Sequence, residues 1–497
     1  MAKPGWRRWA PGASAAIFLW MPVLALIDRD FLLRDPGTGW HLVTGRLILE
    51  TGQIPRSDPF SFTCGGQPWL SFEWLFQLLG ALVERAGGLP LFTMSCALVL
   101  ALVPVIVFRR SVLLGAGLPS SLISAFAVQL VLMGHAHGRP HVVTYALFAW
   151  ISGWLYALDS GRAGWRSAAW MLPVFALWAN LHGGFVAGLV LLGAFCATAG
   201  LRLLQCRSRA RLRLAGRWLA LGLCAALATL ANPRGWSLHS GILEAMGMEC
   251  LSFWDEFRSP DFLNGGTNIR IFEMILLGWM LVAFRGRLRL AELIVPAVFL
   301  YFSLQSVRNV TLFCILAAPV VARGMGAVLR GLPRVGGTFG AAWLAIERDA
   351  LRCRAWMLIV AFAFLCAAPL DSLGMRKDLA GIRLSRGSEE FIRNNLSSFR
   401  RPFNAETLGG PLIYVFWPQM KVFVDDRFAD LYHDEFMIGV YLKAASGGAD
   451  WKDVLDRWGV TSAILPQGAK LANLLRESPE WKEVHADDWN ALFLRHE

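Results

Sequence analysis

The sequence predicts an all-α polytopic membrane bundle followed by a small α/β domain outside the membrane. The chain has 497 residues, of which 55% are hydrophobic, and its mean hydropathy is +0.46. These values are too apolar for a soluble globular protein. Apolar segments recur throughout residues 1–370, and the composition becomes polar and net acidic from about Asp371. We therefore expect a membrane domain over 1–370 and an α/β domain over 371–497.

The apolar segments predict about eleven transmembrane helices, several of them shorter than the roughly 20 residues of a straight span. We expect interfacial Trp and polar residues to complete these short spans. The stretch 70–83 is short and contains Glu73, which favours a helix at the outer face over a further span. The predicted spans are 11–27, 91–108, 121–134, 141–158, 167–180, 183–203, 218–231, 271–284, 291–306, 309–322 and 355–370.

Arginines predict the orientation in the membrane. If the spans alternate, the basic runs at 109–110, 162–166, 202–217, 285–289 and 323–354 fall on one side. The positive-inside rule makes that side cytoplasmic, together with the N-terminus. The C-terminal domain then lies outside the cell (inner) membrane. The net charge of +12 is thus explained by topology and does not indicate a nucleic-acid partner.

The C-terminal domain shows a mixed pattern of helices and strands. Segments 388–396, 451–458 and 469–477 have helical patterns, and 411–416, 421–426, 461–466 and 490–495 have strand patterns. After the predicted strand 421–426, Asp425, Asp426 and Arg427 are expected at a solvated turn with a local ion pair. A role in acceptor binding or regulation is the alternative.

The cysteines indicate neither a zinc cluster nor a redox motif, because the nine residues include no CxxC pair. Cys64 and Cys250 are the two expected in outward loops. An oxidising compartment would allow a disulfide between them, although we expect them to be free thiols. The sequence has no recognisable cleavable signal peptide and no internal repeat.

The first outer loop, 28–90, concentrates charged residues beside the bilayer. After Asp35, Thr38 is predicted to cap a helix from Gly39 to Thr51, with Gly52 as its stop signal. We expect this helix to lie flat on the membrane. Its apolar face would carry Trp40, Val43 and Leu47, and its other faces His41, Arg46 and Glu50.

Two carboxylates are fixed at this boundary, Asp35 at the end of the first span and Asp58 after the helix. Carboxylates in such a place suit base catalysis on an acceptor or cation binding. The alternative is that each one only stabilises a turn.

The order DPxxxW, TGRLILETGQIP and GGQPWLSFEWLFQLL resembles the first outer loop of the GT-C membrane glycosyltransferases, notably protein O-mannosyltransferases and lipid A aminoarabinose transferases. The resemblance covers roughly the first 110 residues. It implies a GT-C-like bundle, a polyprenyl-phosphate-linked sugar donor, activity on the outer face and a catalytic aspartate at Asp35. Asp58 is the second catalytic candidate.

The segment HAHGRPH is a second candidate motif. In an extended strand His135, His137, Arg139 and His141 would point the same way. Such a row could bind phosphate or a divalent metal, or could cap helix ends. Arginine favours the phosphate interpretation.

Arginines recur at the outer ends of spans, where they should be rare, and a shared anionic ligand explains this economically. We therefore predict a donor-phosphate site. Its candidate residues are Arg139, His141, His182, Arg234, Arg258 and Arg308, and the candidates for acceptor binding or support are His41, Arg46, Glu73 and Asn180.

The expected function is inverting transfer of a sugar from a lipid-linked donor to a glycan, lipid or protein acceptor at the outer face. Two alternatives remain open. A carrier or flippase for a lipid-linked solute would be expected to show two related halves. A non-catalytic assembly protein would use the outer domain to bind a partner.

Overall fold

A computed structural model describes residues 12–69, 71–286, 288–331, 375–379 and 381–496. The N-terminal part of these ranges is a helical bundle with short 3₁₀ turns between some of the helices. Its helices are α1 (Ala13–Ile27), α2 (Gly37–Thr51), α3 (Trp74–Leu113), α4 (Leu118–Met133), α5 (His141–Asp159), α6 (Met171–Leu181), α7 (Phe185–Gln205), α8 (Arg209–Ala228), α9 (Ser237–Met246), α10 (Thr267–Phe284), α11 (Leu290–Gln305) and α12 (Val310–Gly331).

The bundle has the character of a helical membrane protein. Five helices in the described ranges are long and apolar enough to cross a bilayer, namely α3, α5, α7, α10 and α12 with its preceding turn. The helices α1, α4 and α11 are apolar but shorter. The expected count of about eleven spans is therefore not reached. The predicted span 355–370 lies outside the described residues.

Helix α3 combines two predicted elements. It runs for 40 residues and bends at Gly87 and Gly88, where the backbone leaves helical geometry. Gly88 has φ of +67°, a conformation that residues with a side chain rarely adopt. The part before the bend is the helix expected near 70–83, and the part after it contains the predicted span 91–108.

Helix α2 differs from the expected membrane-surface helix. It ends as predicted at Gly52, which has φ of +68°. Its start was predicted wrongly, because Thr38 lies inside the helix and its hydroxyl donates to the Gly138 carbonyl at 3.3 Å. Trp40 and Val43, predicted to face lipid, pack in the core of the C-terminal domain. Protein therefore covers the face that was expected to lie on the membrane.

The C-terminal domain contains a four-stranded sheet in the order β1-β2-β4-β3. The β1–β2 pair is parallel, and the β2–β4 and β4–β3 pairs are antiparallel. The strands are β1 (Pro402–Asn404), β2 (Ser462–Pro466), β3 (Trp481–Ala486) and β4 (Asn490–Arg495). The main helices are α13 (Arg386–Asn394), α14 (Glu406–Phe416), α15 (Phe428–Leu431), α16 (Trp451–Arg457) and α17 (Lys470–Glu477), with short helical turns at Asp434–Phe436, Met437–Tyr441 and Leu442–Ala445.

Most of the predicted elements of this domain are confirmed. The helices at 388–396, 451–458 and 469–477 and the strands at 461–466 and 490–495 are present. The strand predicted at 411–416 is wrong, since this run belongs to helix α14. A short apolar run does not by itself distinguish a buried helix from a strand. The strand predicted at 421–426 is also wrong, because only Val422 forms a bridge, to Ser61.

Two glycines allow α2 and α14 to cross backbone against backbone. A Cβ atom on Gly39 would overlap the Gly410 carbonyl, and a Cβ atom on Gly410 would overlap the Pro36 carbonyl. Backbone obstacles of this kind cannot move aside as a flexible side chain can. The crossing brings the loop that contains Asp35 next to the segment that follows α14.

Polar contacts also attach the domain to the bundle. The Tyr414 hydroxyl donates to Glu84 at 2.8 Å, and Glu84 accepts two further bonds from Arg46. The Asp434 carboxylate accepts from the backbone N–H groups of Glu249 and Cys250. Cys64 and Cys250 are free thiols in the structure.

Candidate functional site

Asp35 lies just after α1, in the turn that leads into α2. Its carboxylate accepts a 2.8 Å hydrogen bond from the Gly37 N–H and pairs with the Arg139 guanidinium at 3.2 Å. The side chain is 12% exposed. Burial alone would raise the pKa of the Asp35 carboxyl, but Arg139, His137 and the Gly37 N–H together hold it below its usual value. Asp35 is therefore an ionised, positioned carboxylate.

Arg139 is shared with a second carboxylate from the C-terminal domain. Its Nη1 lies 3.4 Å from Oδ2 of Asp426, and Asp426 also accepts a 2.7 Å bond from the Trp40 indole. Burial and the nearby Asp35 charge, opposed by the charge of Arg139, raise the pKa of Asp426 to about 7. The Arg139 guanidinium thus contacts both Asp35, whose pKa is lowered, and Asp426, whose pKa is raised.

A buried ion cluster lies beside this pair and contains Asp58. Arg427 makes a bidentate pair with Asp425 and lies 2.8 Å from Asp58, and all three side chains are fully enclosed. Asp58 also accepts from the N–H groups of Phe60 and Ser61. Asp58, predicted as a catalytic candidate, is thus saturated with structural contacts. The prediction that 425–427 form a solvated turn is wrong.

Glu73 lies between two histidines at the start of α3. Its oxygens are 3.6 Å from Nδ1 of His41 and 3.6 Å from Nε2 of His182. Burial and, to a smaller extent, the charge of Asp430 raise the pKa of Glu73 to about 8. Burial also lowers the pKa of both imidazoles well below the usual value. All three groups are therefore neutral at pH 7.

The tautomer of His182 follows from its hydrogen bonds. Its Nδ1 accepts from the Gly184 N–H at 3.0 Å and lies 2.8 Å from the Thr144 hydroxyl. That hydroxyl already accepts from the Trp178 indole, so its own proton is free to bond to Nδ1. The neutral ring must then carry its proton on Nε2, the atom that faces Glu73.

Further charged residues gather near this region. Burial raises the pKa of Asp430 and of Glu406 to about 7 in each case. The charge of Arg308 lowers the pKa of Glu73, and the charge of Arg234 lowers that of Asp430. These residues come from segments between bundle helices and from the C-terminal domain. The junction is thus rich in carboxyl groups whose pKa is raised by burial.

The predicted donor-phosphate residues divide into two groups. Arg139 pairs with Asp35, while His182 and Arg308 lie near Glu73. Arg234 lies near Asp430. The Arg308 guanidinium packs over the Phe257 ring at 5.2 Å and makes no ion pair within the described part of the chain. Arg258 is different, because it is 57% exposed and pairs locally with Asp255.

The prediction that the HAHGRPH segment is extended, with its histidines and Arg139 pointing the same way, is wrong. Residues 135–140 form a turn, and His141 is the first residue of helix α5. The His141 Nε2 bonds back to the His135 carbonyl at 2.7 Å, whereas Arg139 points to Asp35. Proline at 140 begins the helix here, because the first turn of a helix needs no N–H at that position.

The predicted support residues have structural contacts. Arg46 binds Glu84 and stacks on the Tyr414 ring at 4.5 Å. The Asn180 side chain accepts from the Trp74 indole and donates to the carbonyls of Ala176 and Ala231. His41 and Glu73 form the cluster with His182. Arg46 and Asn180 therefore make structural contacts in the helices next to that cluster.

Within the described ranges, no group of three potential ligands is arranged to hold a metal ion. Compared with models of known protein families and with curated proteins, the chain gives no match.

Three residues of this site were not predicted as site residues: Asp426, Asp430 and Glu406. Their contacts depend on how the C-terminal domain docks against the bundle, and hydrophobic periodicity in the sequence does not indicate how domains dock. The sequence contained two signals of this docking. One is the doublet Asp425-Asp426 before Arg427, and the other is the pair Gly409-Gly410 before the run 411–416 that was predicted as a strand.

The raised pKa of Glu73 predicts a pH dependence of stability. The folded protein holds this proton up to about pH 8, whereas an unfolded glutamate releases it near pH 4.3. Stability is therefore lost as the pH rises between these values, by on the order of 5 kcal/mol from Glu73 alone at about 1.4 kcal/mol per pKa unit. Glu73→Gln, which stays neutral, should show a smaller fall in melting temperature between pH 5 and pH 9 than the unchanged protein.

Glu50→Gln is the matched control for this measurement, because Glu50 is exposed on helix α2. Its melting curve should follow that of the unchanged protein at every pH. If Glu73→Gln also keeps the full pH dependence, Glu73 is ionised in the folded protein at neutral pH.

Proposed function

We propose that this chain is an inverting membrane glycosyltransferase that uses a polyprenyl-phosphate-linked sugar as donor. The observation that carries the proposal is the Asp35 carboxylate, ionised and held by Arg139 where the chain leaves α1. An apolar bundle gives a lipid-linked donor access from the bilayer. The resemblance of the first outer loop to that of GT-C enzymes supports the same assignment.

The topology belongs to this proposal. The junction between the bundle and the C-terminal domain would face outward, the N-terminus would be cytoplasmic, and a GT-C-like bundle of about eleven spans would need the shorter helices to cross the bilayer as well. The positions of the arginines support this orientation.

Asp35 would act as the general base. It takes the proton from an acceptor hydroxyl or amine, whose lone pair attacks the anomeric carbon. The bond between that carbon and the donor's phosphate oxygen breaks, and its electron pair leaves with the polyprenyl phosphate. A single displacement inverts the anomeric centre. When a donor phosphate draws Arg139 away from Asp35, the carboxylate becomes a stronger base.

Arg139 and Arg308 would stabilise the leaving phosphate. Arginine pairs well with phosphate oxygens through its planar guanidinium. Arg308 has no ion pair within the described ranges, so it can bind an anion without first losing one. The neutral Glu73 carboxyl and the Nε2–H of His182 are hydrogen-bond donors in the same cluster.

Arg308→Gln tests the donor site. We expect the KM for a polyprenyl-phosphate donor to rise roughly tenfold or more with a smaller change in kcat, because a hydrogen bond to a charged group contributes about 1.5–3 kcal/mol. The assay is transfer of labelled sugar in membrane fractions. Arg258→Gln, at an exposed arginine nearby, is the matched control and should leave KM unchanged.

Two results would redirect the proposal. Equal effects of the two variants would remove Arg308 from the donor site. If no polyprenyl-linked sugar is transferred and cells that lack the chain keep their glycan profile, the function is that of a carrier or an assembly protein.

A further inference from the structure

A second cavity lies at the opposite end of the bundle from Asp35. Helix α5 connects the two places, because it begins at His141, beside Arg139, and its last turns, with Tyr156 and Asp159, line this cavity. At 1.5 Å per residue, the 19 residues of α5 separate the two ends by about 28 Å. The cavity has a volume of about 490 Å³. It does not belong to the site described above.

Four arginines line the cavity, namely Arg109, Arg110, Arg162 and Arg289. Arg110 is 7% exposed and packs over the Tyr156 ring at 3.8 Å, and its Nη1 has no hydrogen-bond partner among the described residues. Arg162 donates only to neutral groups, the Ser160 hydroxyl and the Leu113 carbonyl. No carboxylate of the described residues forms an ion pair with any of the four arginines.

The two carboxylates in the lining form their ion pairs with other arginines. Asp159 forms a bidentate pair with Arg202, and Glu292 forms one with Arg323 at 2.9 Å for both contacts. Neither of these two partner arginines lines the cavity. Among the described residues, the cavity lining thus contains four arginines without an ion-pair partner, of which Arg110 is buried and the other three are exposed.

The rim of the cavity is apolar and faces outward from the bundle. Trp150 is 44% exposed and lies 5.6 Å from the Trp154 ring, and Leu113 is 69% exposed. Tryptophan is enriched where a protein meets the headgroup region of a bilayer. The site thus combines a cationic interior with a rim that acyl chains can contact.

We propose that this cavity binds the headgroup of an anionic phospholipid. Arg110, Arg162 and Arg289 would contact the phosphodiester, and Trp150 and Leu113 would contact the acyl chains. A basic pocket between membrane helices is the type of surface that recognises anionic headgroups. Guanidinium groups suit a phosphodiester because they bind two of its oxygens at once.

The test uses the full chain purified in detergent, with lipid binding measured by native mass spectrometry. We expect phosphatidylglycerol to bind at least tenfold more tightly than phosphatidylcholine with the same acyl chains. The double variant Arg162→Gln/Arg289→Gln should weaken phosphatidylglycerol binding by roughly tenfold or more, since each surface arginine contributes about 1 kcal/mol toward an anionic lipid. Both arginines are exposed, so the variant should still fold.

The double variant Arg166→Gln/Arg285→Gln is the matched control, because it removes two exposed arginines that do not line the cavity. It should bind phosphatidylglycerol as the unchanged protein does. Three results would overturn the proposal: equal binding of the two lipids, equal losses in the two double variants, or inorganic phosphate that binds as tightly as phosphatidylglycerol. The last result would assign the cavity to a free anion.

Discussion

Asp35→Asn should reduce sugar transfer by about 10²- to 10⁴-fold while the protein still accumulates in the membrane. A positioned general base contributes a factor of this size to the rate. The amide keeps the size of the side chain and its oxygen can still accept from the Gly37 N–H, so the turn before α2 should survive. Only the ability to accept a proton and the charge that faces Arg139 are lost. The measurement is transfer of labelled sugar per folded protein in membrane fractions.

Asp28→Asn is the matched control. Asp28 also follows α1, but it is 42% exposed and pairs with Arg34 instead of Arg139. This variant should keep normal transfer. Normal transfer by Asp35→Asn would remove the base assignment, and a failure of this variant to accumulate would show that Asp35 acts mainly in the fold.

The pH profile offers an independent check on this role. Because Arg139 keeps the pKa of Asp35 below its usual value, the base should be available throughout the neutral range. A loss of transfer at mildly acidic pH would then reflect another group, and Asp426, whose pKa is raised to about 7, contacts the same Arg139 as Asp35.

Local features of the fold were predictable because they depend on neighbours in sequence. Gly52 ends α2 since only glycine readily adopts its positive φ, and the strands at 461–466 and 490–495 follow from alternating apolar residues. Asp35 was predicted from its place after the first span. In each case the signal lies within a few residues.

Features that depend on docking were not predictable. Helix α2 looked like a membrane-surface helix because an apolar face fits lipid and a protein core equally well. Helix α14 was predicted as a strand and Arg427 as solvated, because the positions of both depend on the contact between the domain and the first outer loop. Net charge and periodicity carry no information about such a contact.

The cluster of Arg427 with Asp58 and Asp425 shows how much that contact matters. It joins the first outer loop to the C-terminal domain, and the Arg427 guanidinium also lies 4.6 Å from the Trp69 ring and 5.0 Å from the Phe60 ring. Three fully enclosed charges are stable only as a set, because each carboxylate needs the cation to offset its loss of water. The cluster therefore fixes the domain against the loop that leads from Asp35.

Arg427→Met should destabilise the protein by about 3–5 kcal/mol, because it leaves two carboxylates buried without a cation. We expect the melting temperature of the detergent-purified protein to fall by about 3–5 °C, from the size scaling of the unfolding entropy for a chain of 497 residues. Trypsin should then cleave the C-terminal domain faster. Arg258→Met, at an exposed arginine paired only with Asp255, should change the melting temperature little, since surface ion pairs contribute about 0–1 kcal/mol.

A triple variant separates the loss of charge balance from the loss of packing. Arg427→Met combined with Asp58→Asn and Asp425→Asn removes all three charges, so it should recover a large part of the stability lost in the single variant. If it is no more stable than Arg427→Met, the guanidinium acts through its contacts with Trp69 and Phe60. If Arg427→Met itself melts at the same temperature as the unchanged protein, the cluster does not hold the domain against the first outer loop, and the positions of Asp426 and Arg139 must depend on the crossing of α2 with α14.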